Sequence, residues 1–126
     1  MTKEERAKIE PELDLAIKIR EKRPYEALKL LMILNENFPD QPIITGMIGS
    51  IYLTLKDWTN ALPYLKSTVV LSPRSELASL SLFHTLANLG FDDEAMTEAK
   101  RYVRRNGLTP EYEFLFTEMD ENEYFN

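Results

Sequence analysis

Apolar side chains recur at i, i+3, i+4 and i+7 along nearly the whole chain, in stretches separated by prolines, glycines and short polar runs. That period belongs to helices with one buried face. Leu13, Leu15, Ala16, Ile17 and Ile19 predict a first helix over 3–23. Its end carries the basic cluster Lys18, Arg20, Lys22 and Arg23, which suits the negative end of a helix dipole. Pro24 is tolerated in the first turn of a second helix over about 25–37, whose inner stripe is Ala27, Leu28, Leu31 and Leu34. After the connector Phe38-Pro39-Asp40-Gln41-Pro42, helices are expected over about 43–55 and 58–71, split by a turn at Lys56-Asp57. Ser75 reads as the N-cap of a fifth helix over 76–89, which Leu89-Gly90 ends. A sixth begins at Asp92 or Asp93 and runs to residue 105, before the stop signal Asn106-Gly107. Thr109-Pro110 reads as N-cap and first residue of a seventh, with Tyr112, Leu115, Phe116 and Met119 as its stripe. Residues 121–126 are expected to be a loose acidic tail, with Tyr124 and Phe125 available to dock.

The first six helices repeat. Ala27, Ala61 and Ala95 are spaced 34 residues apart, as are Leu28, Leu62 and Met96, and Pro39, Pro73 and Gly107. Apolar residues coincide often by chance; three alanines with two prolines and a glycine at one offset do not. The pattern divides the chain into repeats of about 8–41, 42–75 and 76–109, followed by a capping helix of about 110–120. One helix pair cannot cover its own apolar face, so neighbours have to stack.

The middle copy, Pro42–Pro73, shows the pattern best: Thr45-x2-Ile48-Gly49-x2-Tyr52, then Ala61-x3-Leu65, then Pro73. These residues resemble the tetratricopeptide repeat (TPR), with Thr in its Trp slot, Ile in its Leu slot and Leu in its Phe slot. The resemblance covers nearly the whole chain. It implies an all-α, TPR-like α-solenoid of three helix-turn-helix repeats plus a C-terminal capping helix. In such a repeat Gly49 and Ala61 would sit where helices A and B come closest, so they must be small. In the first repeat, shortening the turn by one residue aligns Leu15-Ala16-x2-Ile19 with Ile48-Gly49-x2-Tyr52. In the third, Phe83 replaces the small residue and Ala99 the large one, which keeps the volume similar and predicts shifted packing.

Charge is uneven. The net −6 lies entirely in residues 108–126, with Glu111, Glu113, Glu118, Asp120, Glu121 and Glu123 and no Lys or Arg. That disfavours nucleic-acid and anionic-membrane partners and leaves room for a basic one near this end. No run of 18 apolar residues suggests a membrane span, and the charged start MTKEERAKIE is unlike a secretory signal. The absence of cysteine excludes disulfide and thiolate chemistry, and a cytoplasmic location is the default expectation.

Nothing catalytic stands out. The single histidine, His84, has no spaced second ligand, and no phosphate loop or nucleophile elbow occurs, so neither metal, cofactor nor enzyme activity is expected. The resemblance instead points to a concave groove lined by the A helices. Carried over by register, its groove positions fall on Ile43, Gly46, Ser50, Leu53 and Thr54 in the middle repeat. In the third they fall on Leu77, Leu80, His84, Ala87 and Asn88; Leu13, Ile17 and Arg20 are the first repeat's candidates. TPRs that clamp chaperone carboxyl ends carry Lys, Asn and Arg in slots that here hold Glu12, Ala16, Met47, Leu77 and Ser81, so that ligand is disfavoured. In size and apolar groove the chain is similar to small bacterial TPR proteins such as type III secretion chaperones. This implies a chaperone-like protein that holds a helical or extended segment of a cognate protein. The alternatives are an immunity or inhibitor protein that neutralises a basic enzyme through the acidic end, and self-assembly, such as a homodimer, through the open repeat ends.

Overall fold

The computed structural model describes residues 1–125, with side chains as far as Glu118. Seven helices follow one another with no strand among the described residues: α1 (Lys3–Ile19), α2 (Pro24–Asn37), α3 (Pro42–Thr54), α4 (Trp58–Leu71), α5 (Glu76–Asn88), α6 (Asp92–Asn106) and α7 (Pro110–Phe125). Contacts are densest within the pairs α1–α2, α3–α4 and α5–α6, then between successive pairs, and α3 also touches α5. This is a solenoid of three hairpins with α1, α3 and α5 as the A helices. No described helix is long and apolar enough to cross a membrane.

The three alanines occupy one environment. Ala27, Ala61 and Ala95 are each the fourth residue of their B helix and are at most 1% exposed. Gly49 of α3 faces Leu65 of α4. A Cβ on Gly49 would stand 2.7 Å from Leu65 Cδ2 and 3.0 Å from Leu65 Cγ, too close for a side chain that is itself buried. In the first pair Ala16 fills the small slot and is fully buried, while Leu15 is exposed, as the shortened register requires. The expected swap in the third pair also holds: Phe83 and Ala99 are both buried.

Two apolar clusters make the core. One joins α1, α2 and α3; the other joins α4, α5 and α6 to Tyr112 of α7; Tyr52 packs against both. In the second and third repeats the slots that hold Trp in the TPR pattern hold hydroxyls, each with a buried partner; the first repeat has the exposed Glu12 there. Thr45 Oγ1 is 2.9 Å from Thr68 Oγ1, and Thr68 in turn donates to the Tyr64 carbonyl at 2.7 Å. Ser79, 34 residues on, donates to Glu98 Oε2 at 2.6 Å and also bonds the Tyr112 hydroxyl.

Helix ends follow local chemistry. Ser75 and Thr109 cap α5 and α7 by accepting from the Ala78 and Tyr112 backbone N–H groups. Asp57 caps α4 in the same way through Asn60. Both α3 and α5 end in a left-handed residue, Lys56 (φ 58°) and Gly90 (φ 83°), and a backbone bond from the following residue closes each turn: Asp57 N–H to the Tyr52 carbonyl, and Phe91 N–H to the Leu86 carbonyl. The first helix stops at Ile19, short of the expected residue 23. Arg23 precedes a proline and is held outside the helical region (φ −134°, ψ 64°), so residues 20–23 form the turn.

The seventh helix is the expected cap. Tyr112 is fully buried, edge-on to Phe83 and close to the rings of Tyr102 and Phe116. Leu115 and Phe116 pack on the second cluster, while Phe114 is 61% exposed. Met119, Tyr124 and Phe125 lie outside the described side chains. The helix itself runs on to Phe125, past the expected end near residue 120; no Gly or Pro there interrupts it, and Asn126 lies outside the described residues. Beneath Tyr112, Glu98 is buried and forms two 2.7 Å bonds with the Arg101 guanidinium. Arg101 also donates to the Pro73 carbonyl at 3.1 Å, tying α6 to the preceding connector. The hydrogen bond to Glu98 raises the Arg101 pKa further. Burial pushes the Tyr112 phenol up to about 12.

Gly49→Ala and Gly46→Ala should change stability in opposite directions. The first forces Leu65 to move and costs about 1 kcal/mol or more. The second meets Thr68 Cγ2 at an ordinary 3.4 Å and gains about 0.5–1 kcal/mol of helix propensity; urea denaturation of both variants checks the signs. For Tyr112 the folded pKa lies above the unfolded one, so its stabilising contribution is complete below about pH 10 and fades as pH rises toward about 12. Melting temperatures across that window should fall more steeply for the native chain than for Tyr112→Phe.

Candidate functional site

A trough runs along α3 on the side the B helices do not cover. Ile43, Gly46, Met47, Ser50 and Thr54 fall at i, i+3, i+4, i+7 and i+11, one stripe of that helix, and none is fully buried. The stripe differs from the core stripe Ile44, Thr45, Ile48, Gly49 and Ile51, which faces α4 and α2. Helix α3 thus has one face spent on folding and a second that is apolar at Ile43 and Met47 and polar at Ser50 and Thr54; Met47 also packs on the first core cluster.

The trough has two parts. The larger is a hollow of about 390 Å³ between α3 and α5, with Ile43, Gly46 and Met47 on one wall and Leu77, Ala78 and Ser81 on the other. Leu65, Thr68 and Ser72 of the second hairpin close its back. Ser50 and Arg20 stand where it meets a smaller hollow of about 180 Å³, lined also by Glu21, Ile51 and Thr54. Arg20 is the one charged residue lining the larger hollow. It is the C-cap of α1 and makes no ion pair among the described residues.

The structure gathers some of the sequence candidates and separates others. Ile43, Gly46, Ser50 and Leu77 line the larger hollow, and Thr54 the smaller. Leu53 and Leu80 do not line either; they are half-buried against the second core cluster. His84 and Asn88 are exposed farther along α5, where the Asn88 side chain donates to the His84 carbonyl at 2.7 Å and the His84 ring lies edge-on to Phe83. Leu13 is core rather than groove, and Ile17, though 40% exposed, lines neither hollow. Met47 and Ser81 also line the trough, although the TPR register assigns them to clamp slots and not to the groove. Their 34-residue spacing, and their place one position after Gly46 and Leu80, was the signal that could have found them.

Gly46 has no packing reason. A Cβ would fit against Thr68, unlike the one at Gly49. A glycine inside a helix costs about 1 kcal/mol relative to alanine, so this one weakens α3 while keeping the trough floor low. The chemistry available is that of a surface for binding: apolar walls, hydroxyls and one cation. Among the described residues no cluster of His, Cys, Asp or Glu could hold a metal.

No family model matches the chain, and no curated protein matches it. Among solved structures, MamA AMB-1 superposes with a TM-score of 0.77 at 21% identity, over 92% of this chain and 66% of that one. MamA MSR-1 gives 0.68 at 24% identity, over 75% of this chain and 55% of that one. A MamA mutant gives 0.68 at 23% identity, over 75% of this chain and 56% of that one. The chain therefore spans between about half and two thirds of the length of those proteins. At such identities the likeness speaks for the fold alone: a TPR-like helical repeat, in which the A helices line the trough.

Proposed function

We propose that this chain is a non-enzymatic, chaperone-like binding protein that holds a helical or extended segment of one cognate protein in the trough along α3. The observation that carries the reading is the second face of α3, apolar at Ile43 and Met47, open beside Leu77 and floored by a glycine that packing does not require. Exposed apolar surface of this kind is where protein partners bind. The length of α3, 13 residues or about 20 Å, matches three to four turns of a helix laid in a groove. A cytoplasmic holder of a segment that would otherwise aggregate fits these features.

A second reading rests on a different observation. Helix α7 carries Glu111 and Glu113 in its first turn, exposed Glu118 and a Phe114 ring turned to solvent, with no basic residue. That face suits docking on a basic enzyme, as an immunity or inhibitor protein would.

The tests separate the two. Ile43→Glu with Leu77→Glu changes two exposed residues and should leave the helical circular dichroism intact. It should cut recovery of the native partner from cell extract by tenfold or more. Unchanged recovery contradicts the trough reading. Changing Glu111, Glu113 and Glu118 together to Gln should leave that recovery unaltered; if it instead abolishes binding and its dependence on salt, the α7 reading takes its place.

A further inference from the structure

Resting on the trough reading, we infer the chemistry of its occupant: a protein segment that presents an apolar side chain to the hollow over Gly46 and an acidic side chain to Arg20.

The chain carries −6 overall, yet the trough has a basic end. The acidic excess is confined to α7, which is anchored through Tyr112 on the third hairpin. The opposite end of the solenoid, where α1 turns into α2, carries Lys18, Arg20, Lys22 and Arg23 against Glu21 and Glu26. Arg23 is occupied by Glu26 at 3.2 Å. Arg20 has no such partner among the described residues, and it borders both hollows. Its one acidic neighbour in the trough, Glu21, lines the smaller hollow only. A basic side chain on the occupant would meet a cation there; an acidic one would find a partner beside a low-dielectric wall, where charge counts for more than in open water.

The rest of the site supplies the apolar half. Ile43 is 39% exposed and Leu77 is 78% exposed, and they flank the hollow from opposite walls. A bare Cα at Gly46 between them lets the occupant's side chain reach the Thr68 and Leu65 side chains behind. The hydroxyls of Ser50 and Ser81 line the same space and can accept or donate along a backbone. Together these select an amphipathic segment of mixed apolar and acidic character, and reject a basic one.

The test is selection of random 12-residue peptides, displayed on phage as fusions without a free carboxyl end, against the full-length chain. The native protein should enrich sequences that carry Asp or Glu near a large apolar residue. Arg20→Glu, an exposed change whose folding is checked by thermal melting, should bind those peptides at least about fivefold more weakly and enrich Lys or Arg instead. Enriched peptides that lack an acid, or that bind Arg20→Glu equally well, overturn the inference while leaving the trough reading in place, provided Gly46→Met still blocks them. Peptides that bind Gly46→Met as well as the native chain, or no enrichment at all, overturn both. Synthetic copies with free and amidated carboxyl ends should bind alike; a requirement for the free end would assign Arg20 to a chain terminus and contradict the side-chain assignment. Sedimentation showing a dimer lost in Arg20→Glu would give the trough to a second copy and likewise contradict it.

Discussion

The close crossing of α3 and α4 at Gly49 governs the rest of the molecule. Leu65 lies where a Cβ on Gly49 would be, so the two helices meet nearer than side chains normally allow. Ala61 on the other helix, and Ala16, Ala27 and Ala95 along the solenoid, are likewise small and buried. When two helices share so little space between them, each can bury only a narrow stripe against the other. The remaining apolar residues of α3 then have to face the next hairpin or solvent. Leu53 takes the first course and packs into the second core cluster. Ile43 takes the second and becomes trough wall, while Met47 is shared between the trough and the first core cluster. The groove is thus a geometric consequence of tight pairing.

Hydrophobic burial alone would leave the hairpins free to slide, because apolar contacts have little directional preference. The hydroxyls in the Trp slots supply direction. Thr45 and Thr68 meet across α3 and α4, and Ser79 links α5 to Glu98 of α6 and Tyr112 of α7. Glu98 would be costly to bury by itself; the two-pronged contact with Arg101 and the bond from Ser79 offset that cost. Arg101 passes the constraint on to Pro73, in the connector before α5. Ser79 is the shared member: removing its hydroxyl takes a bond from both the buried Glu98 and the buried Tyr112, so the network favours one docking geometry for the cap.

Much of this was legible in the residues. The helix pattern, the alanine spacing, the one-residue shortening of the first repeat and the caps at Ser75 and Thr109 all follow from local chemistry that needs no tertiary information. The groove was only partly legible. Register transferred Ile43, Gly46, Ser50, Thr54 and Leu77 onto the trough, but it also transferred Leu53, Leu80, His84 and Asn88, which lie elsewhere. Periodicity says which residues share a helix face; it does not say how far the next hairpin rotates over that face. Leu53 shows the difference, since the packing of the following repeat covers it. The buried network was illegible for a related reason. Ser79, Glu98 and Tyr112 come from three helices, and an isolated Glu in an amphipathic stretch reads as solvent-facing. The length of α7 was underestimated because acidic residues near a chain end suggest disorder, yet Glu is a good helix former and nothing past Thr109-Pro110 breaks the helix.

The account stands or falls on which surface touches the partner. Amide chemical shifts of the isotope-labelled protein, recorded with and without the partner segment recovered from its native cell, report that surface directly. The trough account predicts the largest changes at Gly46, Met47, Ser50 and Leu77, with Arg20 at the basic end. Changes confined to α7, or to exposed B-helix residues such as Tyr25, Ile33 and Val70, would contradict it.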